Sequence, residues 1–156
     1  MTDAELMQRA LEIARQGMLG GKGGPFGCVV ARDGVVIGEG CNEVTSTNDP
    51  TAHAEVVAIR AACREISSFQ LDGCRIYTSC EPCPMCLGAI YWARPEKLFY
   101  AGTRQDAADA GFDDEMIYEE LALPPRERRI TALNLMRDSS QALFREWMEL
   151  PDKITY

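Results

Sequence analysis

Two short runs constrain this chain more than any other feature: His53-Ala54-Glu55 and Cys80-Glu81-Pro82-Cys83-Pro84-Met85-Cys86. Cysteines three residues apart project from one face at a helix start. Pro82 and Pro84 fit such a start, because a proline there gives up an N–H that has no helical partner anyway. Two sulfurs and one imidazole make a set of three metal ligands, which leaves a tetrahedral zinc ion one open position for water. A carboxylate two residues from the imidazole can move protons to and from that water. If Cys83, Cys86 and His53 share one ion, two segments far apart in sequence must meet.

Each run has a plainer reading. Cys-x-x-Cys also occurs in redox pairs and structural zinc sites. With Cys80 as a fourth ligand the site has no open position and does no catalysis; the strand end at Cys80-Glu81-Pro82 can also turn that sulfur elsewhere. His53 is the only histidine, and a lone histidine is commonly structural or solvated. Glu55 at a helix start is favoured by the helix dipole alone. The order His-x-Glu then Pro-Cys-x-x-Cys, with the carboxylate in place, resembles the signature of zinc deaminases, and that resemblance favours a catalytic zinc site over these. A helix N-terminus also helps keep both sulfurs as thiolates.

The 156 residues are enough for one domain with a real core, taken as residues 1–156. A net charge of −8 and a pI of about 4.7 argue against a chain built to grip a phosphate backbone, so no nucleic-acid partner is expected. The first ten residues carry Asp3, Glu5 and Arg9 without an apolar run. No stretch reaches the roughly 20 apolar residues of a membrane span. With 7 cysteines, an odd number, the expectation is a cytoplasmic protein with reduced thiols and no membrane partner.

Along the chain, Thr2-Asp3-Ala4-Glu5 fits a capping box. Leu6, Ala10, Ile13, Ala14 and Met18 then predict a helix with one buried face, ending at Gly17 or Gly20. Gly20-Gly21-Lys22-Gly23-Gly24 lacks the spacing of a phosphate loop and reads as a tightly turning or mobile loop. Asp33-Gly34 predicts a hairpin between Cys28–Ala31 and Val35–Gly40. Thr45–Pro50 reads as loop, and Thr51–Ile66 as a helix with His53 and Glu55 in its first turn. Arg75–Thr78 and Leu98–Ala101 read as strands flanking a helix over Cys83–Trp92, so they are expected to pair in parallel. Gln105–Asp114 reads as loop, Glu115–Leu121 as a short helix, Ile130–Leu135 as a fifth strand and Gln141–Met148 as a last helix. The pattern predicts a mixed sheet with helices on both faces.

Pro25-Phe26-Gly27, Asn42 and Asn48–Glu55 resemble the cytidine and deoxycytidylate deaminase superfamily. The runs Tyr77–Arg94 and Asp106–Asp114 resemble its bacterial guanine deaminases. The resemblance covers most of the chain. It implies a three-layer α/β/α sandwich around a five-stranded mixed sheet, and hydrolysis of the free base guanine to xanthine and ammonia. It carries His53, Cys83 and Cys86 over as ligands of one Zn2+ per chain, and Glu55 as the acid/base. Asn42 matches a purine hydrogen-bonder, Asp114 a reader of the base's N–H edge, and Phe26 and Trp92 aromatic packing on the ring. Ala54 and the terminal Tyr156 complete the implied substrate contacts. The resemblance also implies a homodimer, with residues 137–156 as a C-terminal helix and tail closing a site, its own or a neighbour's.

The residues alone leave plainer roles open: Phe26 and Trp92 as core, Asn42 as a strand-end turn, Asp114 as a helix cap. Asp113 and Asp114 are hard to tell apart by sequence. A tRNA adenosine deaminase, a cytosine or nucleoside deaminase, and a noncatalytic zinc protein are the rival functions. The acidic segment from Asp106 to Glu120 argues against the first, which must hold a polyanion.

Overall fold

Thr2 opens the first helix through the expected capping box. The Thr2 hydroxyl accepts from the Glu5 N–H, and the Glu5 carboxylate accepts from the Thr2 N–H at 2.7 Å. The helix, α1 (Asp3–Leu19), buries Leu6, Ala10, Ala14 and Gly17 and ends at Gly20. In this computed structural model, which describes residues 1–156, the chain divides into two compact units, Met1–Asp114 and Glu115–Tyr156.

The first unit holds the sheet. Strands β1 (Gly27–Arg32) and β2 (Val35–Cys41) pair antiparallel. The turn residues Asp33 and Gly34 have φ of 52° and 75°, the left-handed pair that a two-residue hairpin of this hand requires. A single helical turn, α2 (Val44–Thr47), follows in the segment expected to be loop, ahead of α3 (Ala54–Glu65). Strand β3 (Cys74–Cys80), helix α4 (Pro84–Ala93) and strand β4 (Lys97–Gly102) form a crossover unit in which β3 and β4 are parallel, as expected. β1 also pairs antiparallel with β3, giving the order β2-β1-β3-β4. β2, β3 and β4 therefore run in one direction and β1 in the other.

Alternation along the strands sorts the core into two layers. Cys28 and Val30 of β1 and Cys74 and Ile76 of β3 face α3 and α4, packing with Ala54, Ala58, Ala62 and Ile90. Val29, Ala31 and Tyr77 face the other way, onto Leu6 and Ala10 of α1. The unit is thus the expected α/β/α sandwich. α3 lies almost flush on β2: a Cβ at Gly40 would sit 2.5 Å from the Ala54 carbonyl oxygen, and one at Gly38 would sit 2.6 Å from that of Ala58. Glycines facing an Ala54-Ala58-Ala62 stripe bring the helix in close and fix where its first turn begins.

The sheet has four strands, not five. Ile130–Leu135 forms no strand, and its Ile130 and Leu135 are 87% and 85% exposed. Apolar alternation makes a strand only where a neighbouring edge supplies hydrogen bonds, and none pairs with this segment. Gln105–Asp114 is likewise not all loop. Thr103 and Asp106 form a second capping box, which starts α5 (Arg104–Asp109). The second unit contributes α6 (Glu115–Ala122) and α7 (Arg137–Glu149), neither of which buries a residue.

Candidate metal centre

Helices α3 and α4 begin beyond the C-terminal ends of β2 and β3, at the edge where open α/β sheets characteristically hold ligands. His53 is the N-cap of α3 and Cys83 the N-cap of α4, so α3 starts three residues later than the expected Thr51 and α4 one later than the expected Cys83. Both have extended backbones, φ −70° and ψ 153° for His53 and φ −64° and ψ 167° for Cys83, and neither side chain caps its own helix. Each is therefore free to point off the helix end. Pro84 occupies the first turn of α4, and Cys86 follows three residues after the N-cap. The N-cap and the third helical residue are the pair that face each other in a capping box, which is why Cys-x-x-Cys here converges.

The three side chains meet. Nδ1 of His53 lies 3.6 Å from Cys83 Sγ and 3.5 Å from Cys86 Sγ, and ligand atoms of all three fall within 4.8 Å of one another. The Cys83 thiol is pushed down to about 4, first by the Cys86 hydrogen bond and then by His53, while Cys86 is pushed well up by that same bond and by burial. The two thiols are thus pushed in opposite directions by the bond between them. His53 is raised, chiefly by its hydrogen bond with Cys83. One imidazole and two sulfurs, converging at two helix N-termini, fit a zinc ion in donor type and number. Cys80 is not among them: its sulfur is 3.4 Å from the Thr103 carbonyl oxygen.

Glu55 sits in the first turn of α3, 6% exposed, with Oε1 accepting from the Thr78 hydroxyl at 3.2 Å. Burial raises its proton affinity above the ordinary carboxylate range. Asn42 follows β2 directly and is buried. Its Oδ1 accepts from the backbone N–H groups of Gly24 and Val44, both at 3.2 Å. Two converging donors identify which end of the amide is oxygen and leave the NH2 as the end able to meet a ligand. The glycine run is the cradle for this contact. A side chain at Gly23 would collide with Asn42.

Phe26 is half-buried against the α3 layer and meets Phe112 edge-on, with ring centroids 4.9 Å apart. Asp114 is part-buried, whereas Asp113 is exposed. The Asp114 carboxyl is raised, first by burial and next by the nearby Cys83 charge. The two aspartates are thus distinct in three dimensions. Ala54 is fully buried in the core, so a substrate contact by it runs through its backbone. Trp92 is 64% exposed near the C-terminal end of α4, roughly 13 Å along the helix from Cys83 at 1.5 Å per residue. Tyr156 belongs to the second unit and is exposed. Sequence reasoning gave no role to Thr78 or Phe112. Their partners are remote in the chain, and nothing local to either residue announces the contact.

Residues 1–102 match the family model described as the cytidine and deoxycytidylate deaminase zinc-binding region. The guanine deaminase of Bacillus subtilis is 51% identical over 156 residues, covering 100% of both chains. Its crystal structure superposes with a TM-score of 0.97, covering 100% of this chain and 99% of that one. A guanine deaminase from Nitrosomonas europaea superposes with a TM-score of 0.69 at 31% identity, covering 93% of this chain and 84% of that one. The tRNA-specific adenosine deaminase of Haemophilus influenzae is 36% identical over 118 residues, 72% of this chain and 68% of that protein.

Proposed function

The chain belongs to the cytidine and deoxycytidylate deaminase family, and on that premise we propose that it is a zinc-dependent guanine deaminase, hydrolysing guanine to xanthine and ammonia. The observation that carries the substrate is where the likeness extends. The zinc region ends at residue 102, but the 51% identity to a guanine deaminase runs on through residue 156. The later segment includes Asp114 and the whole second unit, which a shared zinc motif does not explain.

His53, Cys83 and Cys86 hold the ion. Zinc, when bound, supplies a Lewis acid that brings a water's pKa toward neutrality. Glu55 would take the two protons of the attacking water in turn, passing the first to the ring nitrogen and the second to the departing amine as the added hydroxyl becomes the carbonyl. Its burial supports this role, because a carboxyl with raised proton affinity can hold a proton between the two transfers. Asn42 donates its NH2 to an acceptor on the base, and the part-buried Asp114 accepts from the base's N–H edge. Phe26 lies against the ring, and the Ala54 backbone borders it.

A homodimer with exchanged C-terminal segments is the arrangement we favour. Its support is the second unit's inability to bury anything by itself: Phe144, Met148 and Ile154 are all more than 60% exposed. Trp92 and Tyr156 are both exposed. No helix is long and apolar enough to cross a membrane. The free thiols and the absence of any disulfide fit a reducing cytoplasm.

The net charge of −8 weighs against a tRNA substrate. The deciding measurement is ammonia release by the zinc-loaded protein from guanine, cytosine, nucleosides and tRNA in parallel. Release from guanine above all others is the expected result. Release from tRNA alone, or from none, overturns the reading.

A further inference from the structure

Thr78 lies on the β3 face that is covered by α3 and α4. Its neighbours there are apolar: Cys74 and Ile76 precede it on the same face, and Cys28 is its partner across β1. A hydroxyl 1% exposed in such a layer is costly unless it is hydrogen-bonded. Its partner is Glu55 Oε1 at 3.2 Å, bridging the middle of the sheet to the first turn of α3. A valine would fill the same volume without that polar cost, so the hydroxyl is not there for packing.

We propose that Thr78 is a positioning residue for Glu55: its hydroxyl pins Oε1 and leaves Oε2 as the oxygen that carries the proton. A carboxyl attached through two rotatable methylenes loses its aim without such an anchor, and proton transfer needs hydrogen-bond reach in a set direction. The proposal rests on the deaminase reading for what Glu55 does, and on the Thr78–Glu55 bond for what Thr78 does.

The test compares zinc-loaded wild type with Thr78→Val, which keeps the volume, and Thr78→Ser, which keeps the hydroxyl. Zinc per chain, kcat and KM for guanine, and the crystallographic position of the Glu55 carboxyl are read for each. In Thr78→Val, zinc and KM stay as in wild type, kcat falls about 10- to 100-fold and the carboxyl rotates from its wild-type position. Thr78→Ser restores most of kcat and the wild-type position. An unchanged kcat in Thr78→Val, a loss that serine does not restore, or a carboxyl that stays in place overturns the proposal. Should Thr78→Val fail to fold, Thr78→Ala against Thr78→Ser makes the same comparison. Wild type that releases no ammonia from guanine defeats the deaminase reading instead. The carboxyl positions in the variants then decide the proposal by themselves.

Discussion

Cys83 stands to α4 as His53 stands to α3: each is the N-cap of its helix, each backbone is extended, and the side chains meet 3.6 Å apart. The positive ends of two helix dipoles thus point at one spot. That field favours negative charge on sulfur against a buried surround and suits both sulfurs to a cation.

Replacing one sulfur is expected to empty the site. Cys86→Ser should lower zinc affinity by more than the roughly 10- to 100-fold that loss of an outer-shell partner costs. Metal analysis after dialysis against a mild chelator reads this directly. Because the Cys86 thiol is pushed well up without metal, adding zinc to metal-free wild type at neutral pH should release a proton and acidify a weakly buffered solution. A silent titration with full zinc uptake would contradict that expectation.

Glu55→Gln keeps shape and hydrogen-bonding capacity but cannot shuttle protons. Zinc content should stay at the wild-type level while kcat drops by about 10²- to 10⁴-fold, the usual worth of a positioned acid/base. Steady-state ammonia release on metal-quantified protein is the check. Wild-type turnover in this variant removes Glu55 from the chemistry.

Asp114→Ala should impair guanine turnover far more than Asp113→Ala. Asp114 is part-buried and lies near the Cys83 charge, whereas Asp113 is exposed. KM for guanine is the parameter to compare. Equal, mild effects in both would end the edge-reading role.

Gly40→Ala places a methyl against the Ala54 carbonyl and the Val57 side chain. α3 must lift from β2, so stability should fall by about 1–3 kcal/mol, as for other overpacked cores. Because the displaced turn carries His53 and Glu55, zinc affinity should drop as well. Urea midpoints with and without zinc separate the two effects.

Tyr77 donates to the Asp3 carboxylate at 2.6 Å, and burial together with that bond pushes the phenol up to about 12. A group whose proton affinity rises on folding contributes stability below its unfolded value. That contribution is lost as pH climbs through the folded one. Between the ordinary 10.0 and about 12, wild type should therefore lose melting temperature more steeply than Tyr77→Phe. At neutral pH the variant should melt lower. Parallel alkaline limbs would show that the bond is not coupled to folding.

What the sequence made legible was local or chemically specific. The Thr2–Glu5 capping box, the Asp33-Gly34 turn, the parallel β3–β4 pair and the converging His53, Cys83 and Cys86 all follow from residues whose chemistry admits few alternatives. α5 was missed although Thr103 and Asp106 form a capping box, because the small acidic residues after it carry no apolar period. Ile130–Leu135 misleads for the opposite reason: it has apolar residues in alternation but no ladder beside it. The Thr78–Glu55 bond and the Phe26–Phe112 contact needed the fold itself.

Asn42 gives its oxygen to the amides of Gly24 and Val44 and keeps only hydrogens for anything that enters. If Asn42 greets the base as proposed, the polarity of that greeting is decided by two backbone amides, one of them at the end of the glycine run. Substitutions among Gly20–Gly24 could then change the molecule's diet while its metal and its proton carrier stay as they were.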